Sequence, residues 1–139
     1  MVRSRRWQKV ERERWRSRLE LARGFLEAAR TALERAAAGA SGNPIMPNAL
    51  LAAIAYADAL TIKYGGFLNT GDHARLTHAL RFALGDRAEP SQLERLGRIV
   101  SRKNRIQYEF SRAPLDEARA FIEQVRRFAE WAEAELARI

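Results

Sequence analysis

The sequence predicts an all-α protein: an up-and-down bundle of four to five helices, led by a long basic N-terminal helix. Three observations predict it. Apolar residues recur at steps of three and four in several segments, and no segment alternates apolar and polar residues as a strand would. Alanine is abundant and the hydrophobic fraction is 47%. The 8 glycines and 4 prolines are few and sit mostly where the periodic segments break.

Each element has its own signal. Over residues 5–38, Trp15, Leu19, Ala22, Leu26, Ala29, Leu33 and Ala36 form a packing seam, which Leu21, Phe25, Ala28 and Ala32 widen toward a bundle core. Upstream the stripe thins to Trp7 and Val10 among arginines, so residues 1–18 read as a basic helical extension. Its Trp7 has two uses, stacking on a base or packing on a neighbouring helix. A Gly/Ser/Asn/Pro break follows at about 38–44, and Pro47 suits the first turn of a second helix. From Ala49 to Tyr64 that helix is apolar almost all round, with Asp58 and Lys63 its charged residues, and Gly65-Gly66 ends it. Thr70 or Asp72 caps a third helix that runs to about Leu84. Ser91 to Glu94 reads as a capping box opening a fourth, with Pro90 just before it. Pro114 precedes a last helix with Ala118, Phe121, Ile122, Val125, Phe128, Ala129, Ala132 and Leu136 on one stripe.

At 139 residues the chain suits one domain with a substantial core. Without cysteine it has neither disulfides nor thiolate metal ligands. No run approaches about 18 uninterrupted apolar residues. The basic start, Met1 to Arg6, has no apolar signal core behind it, so a cytoplasmic protein is expected. The net charge of +8 is unevenly placed. Residues 1–18 carry +6 and residues 101–112 carry +3, whereas 114–139 carry −2. Two basic patches of this kind suit a polyanion, and equally a solvated face.

The motifs of common enzymes are absent: no phosphate loop, no zinc-protease helix, no nucleophile elbow, no di-metal Glu-x-x-His pair. No cofactor and no metal are therefore expected. The fourth helix instead changes character at its end. Leu93, Leu96, Ile99 and Val100 face the core, but the same spacing then meets Lys103, Asn104 and Gln107. If the helix continues, Lys103 shares a face with Gln107, and Asn104 with Tyr108. An ammonium beside an amide and a phenol suits phosphate, and tyrosine is a poor base near neutral pH. Two further polar residues stand on apolar faces. Asp58 is either bonded to a helix terminus or an arginine, or is a site acid facing the end of helix four. His73, on the face of Leu76, Leu80 and Ala83, is either a satisfied core residue or the imidazole of a site. His78 lies elsewhere on that helix and reads as surface.

The run Lys103-Asn104-Arg105-Ile106-Gln107-Tyr108-Glu109-Phe110 resembles the Arg-Asn-x-x-x-His-x-Tyr signature of HEPN domains (higher eukaryotes and prokaryotes nucleotide-binding). The stretch Ala53 to Leu60, the glycine-containing turn into Asp72-His73, and the closing Pro114 to Ala118 are similar to one bacterial branch of that superfamily. The resemblance covers roughly 45–139, so the chain divides into the extension 1–18 and a HEPN-like bundle 19–139. It implies a helical bundle, often dimeric, and in many members a metal-independent endoribonuclease of a toxin–antitoxin pair. Homodimerisation and a cognate antitoxin or nucleotidyltransferase-type partner are implied with it. In the motif, Arg binds phosphate and His serves in acid–base cleavage. Here Lys103 and Tyr108 stand at those positions, Phe110 replaces the final Tyr, and Asn104 is kept. Lysine still offers a point charge, with Arg102 or Arg105 in reach by a shift of one or two residues.

Three readings follow. The first is a degenerate HEPN-like domain that binds RNA or a nucleotide phosphate through Lys103, Asn104, Arg102, Arg105 and Gln107. The second is a ribonuclease using His73 or Tyr108, supported by Asp58 and Asp72. The third is a non-catalytic dimerisation module. The second expects His73, Asp58 and the 103–108 segment to meet in one cleft.

Overall fold

The structure is a computed structural model that describes residues 6–36, 45–103 and 114–138. It is a helical bundle, with five α-helices among the described residues: α1 (Trp15–Arg35), α2 (Ile45–Gly65), α3 (Leu76–Leu84), α4 (Pro90–Val100) and α5 (Leu115–Leu136). Two short strands, β1 (Trp7–Lys9) and β2 (Phe67–Asn69), pair antiparallel with Trp7 opposite Asn69 and Lys9 opposite Phe67.

The centre is α2. It packs against α1, α3, α4 and α5, and its run from Ala52 to Ile62 is buried without interruption. A helix apolar on every side must be enclosed on every side. By length and hydropathy it would also cross a bilayer, but 83% of its apolar window is covered by the rest of the bundle. Around it, α1 buries Leu19, Ala22, Leu26 and Ala29, and α5 buries the stripe from Ala118 to Leu136. The α1 stripe is narrower than its sequence suggests, since Ala28 is exposed and Leu21 is 43% exposed.

The basic N-terminus is not a helical extension. Helix α1 begins only at Trp15, behind a 3-10 turn at Arg12–Arg14. Residues before it form an arm along β2, with Val10 N–H donating to Gly66 O at 3.0 Å and Thr70 N–H donating to Arg6 O at 2.6 Å. The cause is the partner. Trp7 stacks on Phe67 at 4.3 Å between ring centres and meets Phe82 at 4.8 Å. A continued α1 would carry Trp7 away from both rings.

The connection from α2 to α3 is also more than a turn. Gly66 takes φ 72°, in the region that favours glycine, and reverses the chain. Then β2 runs back beside α3, bringing Phe67 near Phe82 and Trp7 near His78. As a result α3 ends where α2 ends, and a Cβ on Gly65 would lie 3.1 Å from Ala83 Cβ. The Ser91–Glu94 capping box does not form. Helix α4 starts two residues early with Pro90 in its first turn, and Ser91 Oγ turns to the Glu89 carboxylate instead.

Polar ties fix the helices in register. Glu133 on α5 accepts two hydrogen bonds from Arg23 of α1, at 2.6 and 2.8 Å, and one from the Tyr56 hydroxyl of α2 at 2.9 Å. The Arg23 hydrogen bonds hold the Glu133 carboxyl below the usual range, and burial beside that carboxylate pushes the Tyr56 phenol up. Cations close two helix ends. Arg12 donates to the carbonyls of Lys63 and Tyr64, and the Lys63 ammonium donates to Leu136 O at 2.5 Å and Arg138 O at 2.9 Å. Glu133→Ala is expected to cost roughly 1–3 kcal/mol in urea unfolding, because it leaves the buried Tyr56 hydroxyl unpaired. Arg23→Ala should cost less than about 1 kcal/mol, since that side chain is 57% exposed.

Candidate nucleic-acid interface

The polar cluster forms where β2 leads into α3. Asp72 caps the turn that opens α3, its Oδ1 accepting from Ala74 N–H at 3.0 Å. That cap sets His73 as the first residue of the 3-10 turn His73–Arg75, while Leu76 and Leu80 anchor the following helix in the core. The imidazole is thereby half-buried, with Nδ1 fully covered and without a hydrogen-bond partner among the described residues. Asn69, at the end of β2, behaves alike. It is buried, its Nδ2 donates to Asp72 O at 3.4 Å, and its Oδ1 has no partner among the described residues. Two covered polar atoms left open in one loop are unusual, since each costs on the order of 1–3 kcal/mol when unpaired.

Lys103 completes the cluster. Burial lowers the His73 pKa, the Lys103 ammonium lowers it further, and the Asp72 carboxylate opposes the shift. From an ordinary value of 6.5 this leaves the imidazole neutral at pH 7. His73 and Lys103 thus lie within electrostatic reach, because α4 runs back along α3 and ends beside its first turn.

The other predicted residues are placed differently. Asp58 is buried in α2, and the charge acting on it is Arg18 of α1. Burial raises its pKa to about 7, which Arg18 offsets in part. No described residue at the end of α4 acts on Asp58, so the three-way meeting expected from the sequence is seen only between His73 and Lys103. Asp72 is an exposed helix cap. Arg102 is engaged by an ion pair with Glu117 of α5, with its guanidinium 5.6 Å from the Phe121 ring centre. It ties the turn after α4 to α5. Helix α4 ends at Val100, Ser101 and Arg102 form a turn and Lys103 is helical, so the face-sharing expected of Lys103 with Gln107 and of Asn104 with Tyr108 falls outside the described residues. Asn104, Arg105, Gln107, Tyr108 and Phe110 lie outside the described residues.

No family model, no curated protein and no solved structure matches this chain.

A second basic locus lies at the far end of the arm. The Lys63 ammonium sits 4.7 Å from the ring centre of Trp15 and 5.3 Å from that of Tyr64. Arg16 lies 4.8 Å from the Trp15 ring and Arg87 4.9 Å from the Tyr64 ring. Cations and rings thus alternate in the order Arg16, Trp15, Lys63, Tyr64, Arg87. Burial lowers the Lys63 pKa, and the charges of Arg16 and Arg87 lower it further. Sequence reasoning missed this group and Asn69. The ladder draws on three separate segments and has no linear spacing. Asn69 reads as a turn residue until β2 is known. Among the described residues no group of three or more His, Asp or Glu side chains is close enough to hold a metal ion.

Asp58 gives the bundle core a pH signature. With a folded-state pKa near 7 and an ordinary value of 3.8, it imposes no penalty below about pH 4, where both states are protonated. Stability then falls as pH rises toward 7 and levels off above it. Asp58→Asn is expected to stabilise the fold at pH 8, by on the order of 3 kcal/mol. The gain should vanish toward pH 4, as read from urea unfolding at each pH.

Proposed function

We propose that this protein binds RNA through its phosphates, with Lys103 supplying charge and His73 a hydrogen-bond donor. The observation that carries this reading is the packing of the end of α4 on the His73–Arg75 turn, which brings the Lys103 ammonium near enough to act on the His73 imidazole. Lysine offers a point charge suited to a phosphate, and a neutral imidazole beside it has a nitrogen to spare for a hydrogen bond. The basic N-terminal arm adds to the field around the loop, since Arg6 lies over Gly71, next to Asp72. The likeness of residues 103–110 to the HEPN motif supports the same ligand class.

Lys103→Ala should weaken binding of a labelled RNA oligonucleotide roughly five- to tenfold and reduce the salt slope by about one. Bound phosphate favours the imidazolium, so binding takes up a proton. Wild-type affinity should therefore rise as pH falls from 7.5 to 5.5, and His73→Gln should flatten that rise. Fluorescence anisotropy across salt and pH reads both effects, and an unchanged salt slope in Lys103→Ala would count against the reading.

A second reading, metal-independent RNA cleavage, draws on one specific observation. Burial and the neighbouring ammonium keep His73 in its base form at neutral pH. A neutral imidazole can take the proton of a ribose 2′-hydroxyl while an ammonium steadies the phosphate. If this holds, wild-type protein cuts RNA in the presence of EDTA, and His73→Ala loses at least about a hundredfold in rate. Binding with no cleavage leaves the protein a binder.

A further inference from the structure

We propose that the bound RNA runs its backbone along the outward face of α3, with Arg75 and Arg81 each taking a phosphate beyond the one held at Lys103. This rests on the RNA reading above and adds the path, the further contacts and a mode of binding indifferent to sequence.

Helix α3 and the turn that opens it contain no acidic residue. From His73 to Gly85 the titratable side chains are those of His73, Arg75, His78 and Arg81. Leu76, Ala79, Leu80 and Leu84 are spent on the core, and Arg75, His78 and Arg81 are exposed. Steps of three carry those exposed residues across one face of the helix, with His78 in the middle. At the usual helical rise Arg75 and Arg81 lie roughly 9 Å apart along the axis. Helix α4 bounds the face on one side, so close that a Cβ on Gly97 would sit 3.8 Å from Thr77 Cγ2. The arm bounds it on the other, with the Trp7 ring centre 6.0 Å from that of His78.

These two arginines are not held by carboxylates. Arg23, Arg102, Arg126 and Arg138 each pair with a glutamate. Arg75 and Arg81 form no ion pair among the described residues, although Glu94 is exposed on the neighbouring α4. Asp72, at the start of the face, is turned to Ala74 N–H as the cap. Lys103 stands at that same end, close enough to act on His73. Lys9 stands toward the other end: it is exposed, lies opposite Phe67, and shares a side of β1 with Trp7, two residues before it. The core stripe of α3 holds the helix in place, so the charges are carried on a firm element. Charges in a row, with no acid paired to them, suit a phosphate backbone. Contacts of that kind carry no sequence information.

The test is anisotropy with the full chain and two fluorescein-labelled RNAs of about twelve nucleotides, oligouridine and oligoadenosine. Arg75→Ala/Arg81→Ala should weaken binding of both at least about tenfold and lower the salt slope by roughly 1.4, two phosphate contacts at about 0.7 each. Arg75→Lys/Arg81→Lys should keep the slope, since the point charge remains. Arg30→Ala/Arg35→Ala removes the same charge from exposed positions of α1 and should leave the slope unchanged. Thermal melts report the fold, and Arg75→Gln/Arg81→Gln replaces the alanine variant if that one melts early. An unchanged slope in the α3 variant overturns the proposal. So does an equal fall in the α1 variant, which makes the effect one of net charge. A loss confined to one oligonucleotide overturns the backbone mode. Polyglutamate that displaces RNA as well, charge for charge, as unlabelled RNA does assigns the face to an acidic polypeptide and overturns the proposal too. If the α3 variant binds normally while Lys103→Ala does not, the path along α3 is wrong and the Lys103 reading stands. If Lys103→Ala binds normally while the α3 variant fails, the Lys103 end of the path is overturned. Absence of any RNA binding overturns both.

Discussion

The enclosure of α2 is the constraint on which the rest of the structure depends. Fifteen of its 21 residues are buried, including Asp58 and Thr61, and its surroundings supply apolar contact on every side. Four helices are needed to cover it, and each therefore presents one apolar stripe inward and spends its other face on water or on polar ties. The polar atoms of α2 had to be accommodated within that cover. Thr61 Oγ1 donates to its own helix at Asp58 O, Tyr56 reaches Glu133, and Lys63 extends to the end of α5. Among the described residues the charge acting on Asp58 is that of Arg18, and its carboxyl stays largely protonated up to neutral pH as the cheaper alternative to a buried, unpaired anion.

The same constraint sets the position of the polar loop. Once α2 ends at Gly65-Gly66, the next helix must also lie against it, and the chain runs back as β2 before α3 begins. That return leaves a strand edge, and β1 covers it. The arm thus exists because β2 does. The loop from Asn69 to His73, Lys103 just past the end of α4, and Arg6 at the start of the arm are brought near one another by this single excursion. At the opposite end of the arm, the closing termini of α2 and α5 gather Lys63, Tyr64 and Trp15, which draws Arg16 and Arg87 onto the rings.

Much of the architecture was legible in the sequence. The apolar run from Ala49 to Tyr64 announced a central helix, Gly65-Gly66 its end, Thr70 or Asp72 a cap, and the α5 stripe its buried face. These are local signals, and they are readable because a helix period and a cap depend on neighbours within one or two turns. The failures share one cause. Trp7 and Val10 look like the thin end of a helical seam, but Trp7 meets Phe67 and Phe82 and Val10 donates to Gly66 O, all far away in the chain. Leu21 fits the α1 period, but only packing decides which flank of a stripe is covered. The Ser91–Glu94 capping box is a sound local pattern, displaced when Pro90 took the first helical position.

By itself the sequence determined the helical class, the central place of α2 and the basic character of the N-terminus, because composition and period act locally. Only the tertiary structure decided that the basic segment is a strand-forming arm, that Arg102 is tied to Glu117, and that the charge of Lys103 acts on His73 while that of Arg18 acts on Asp58. Each of those outcomes is a choice between partners far apart in the chain. Such a choice is settled by which pairing buries more apolar surface and leaves fewer polar groups unmatched, and spacing along the chain carries no record of it.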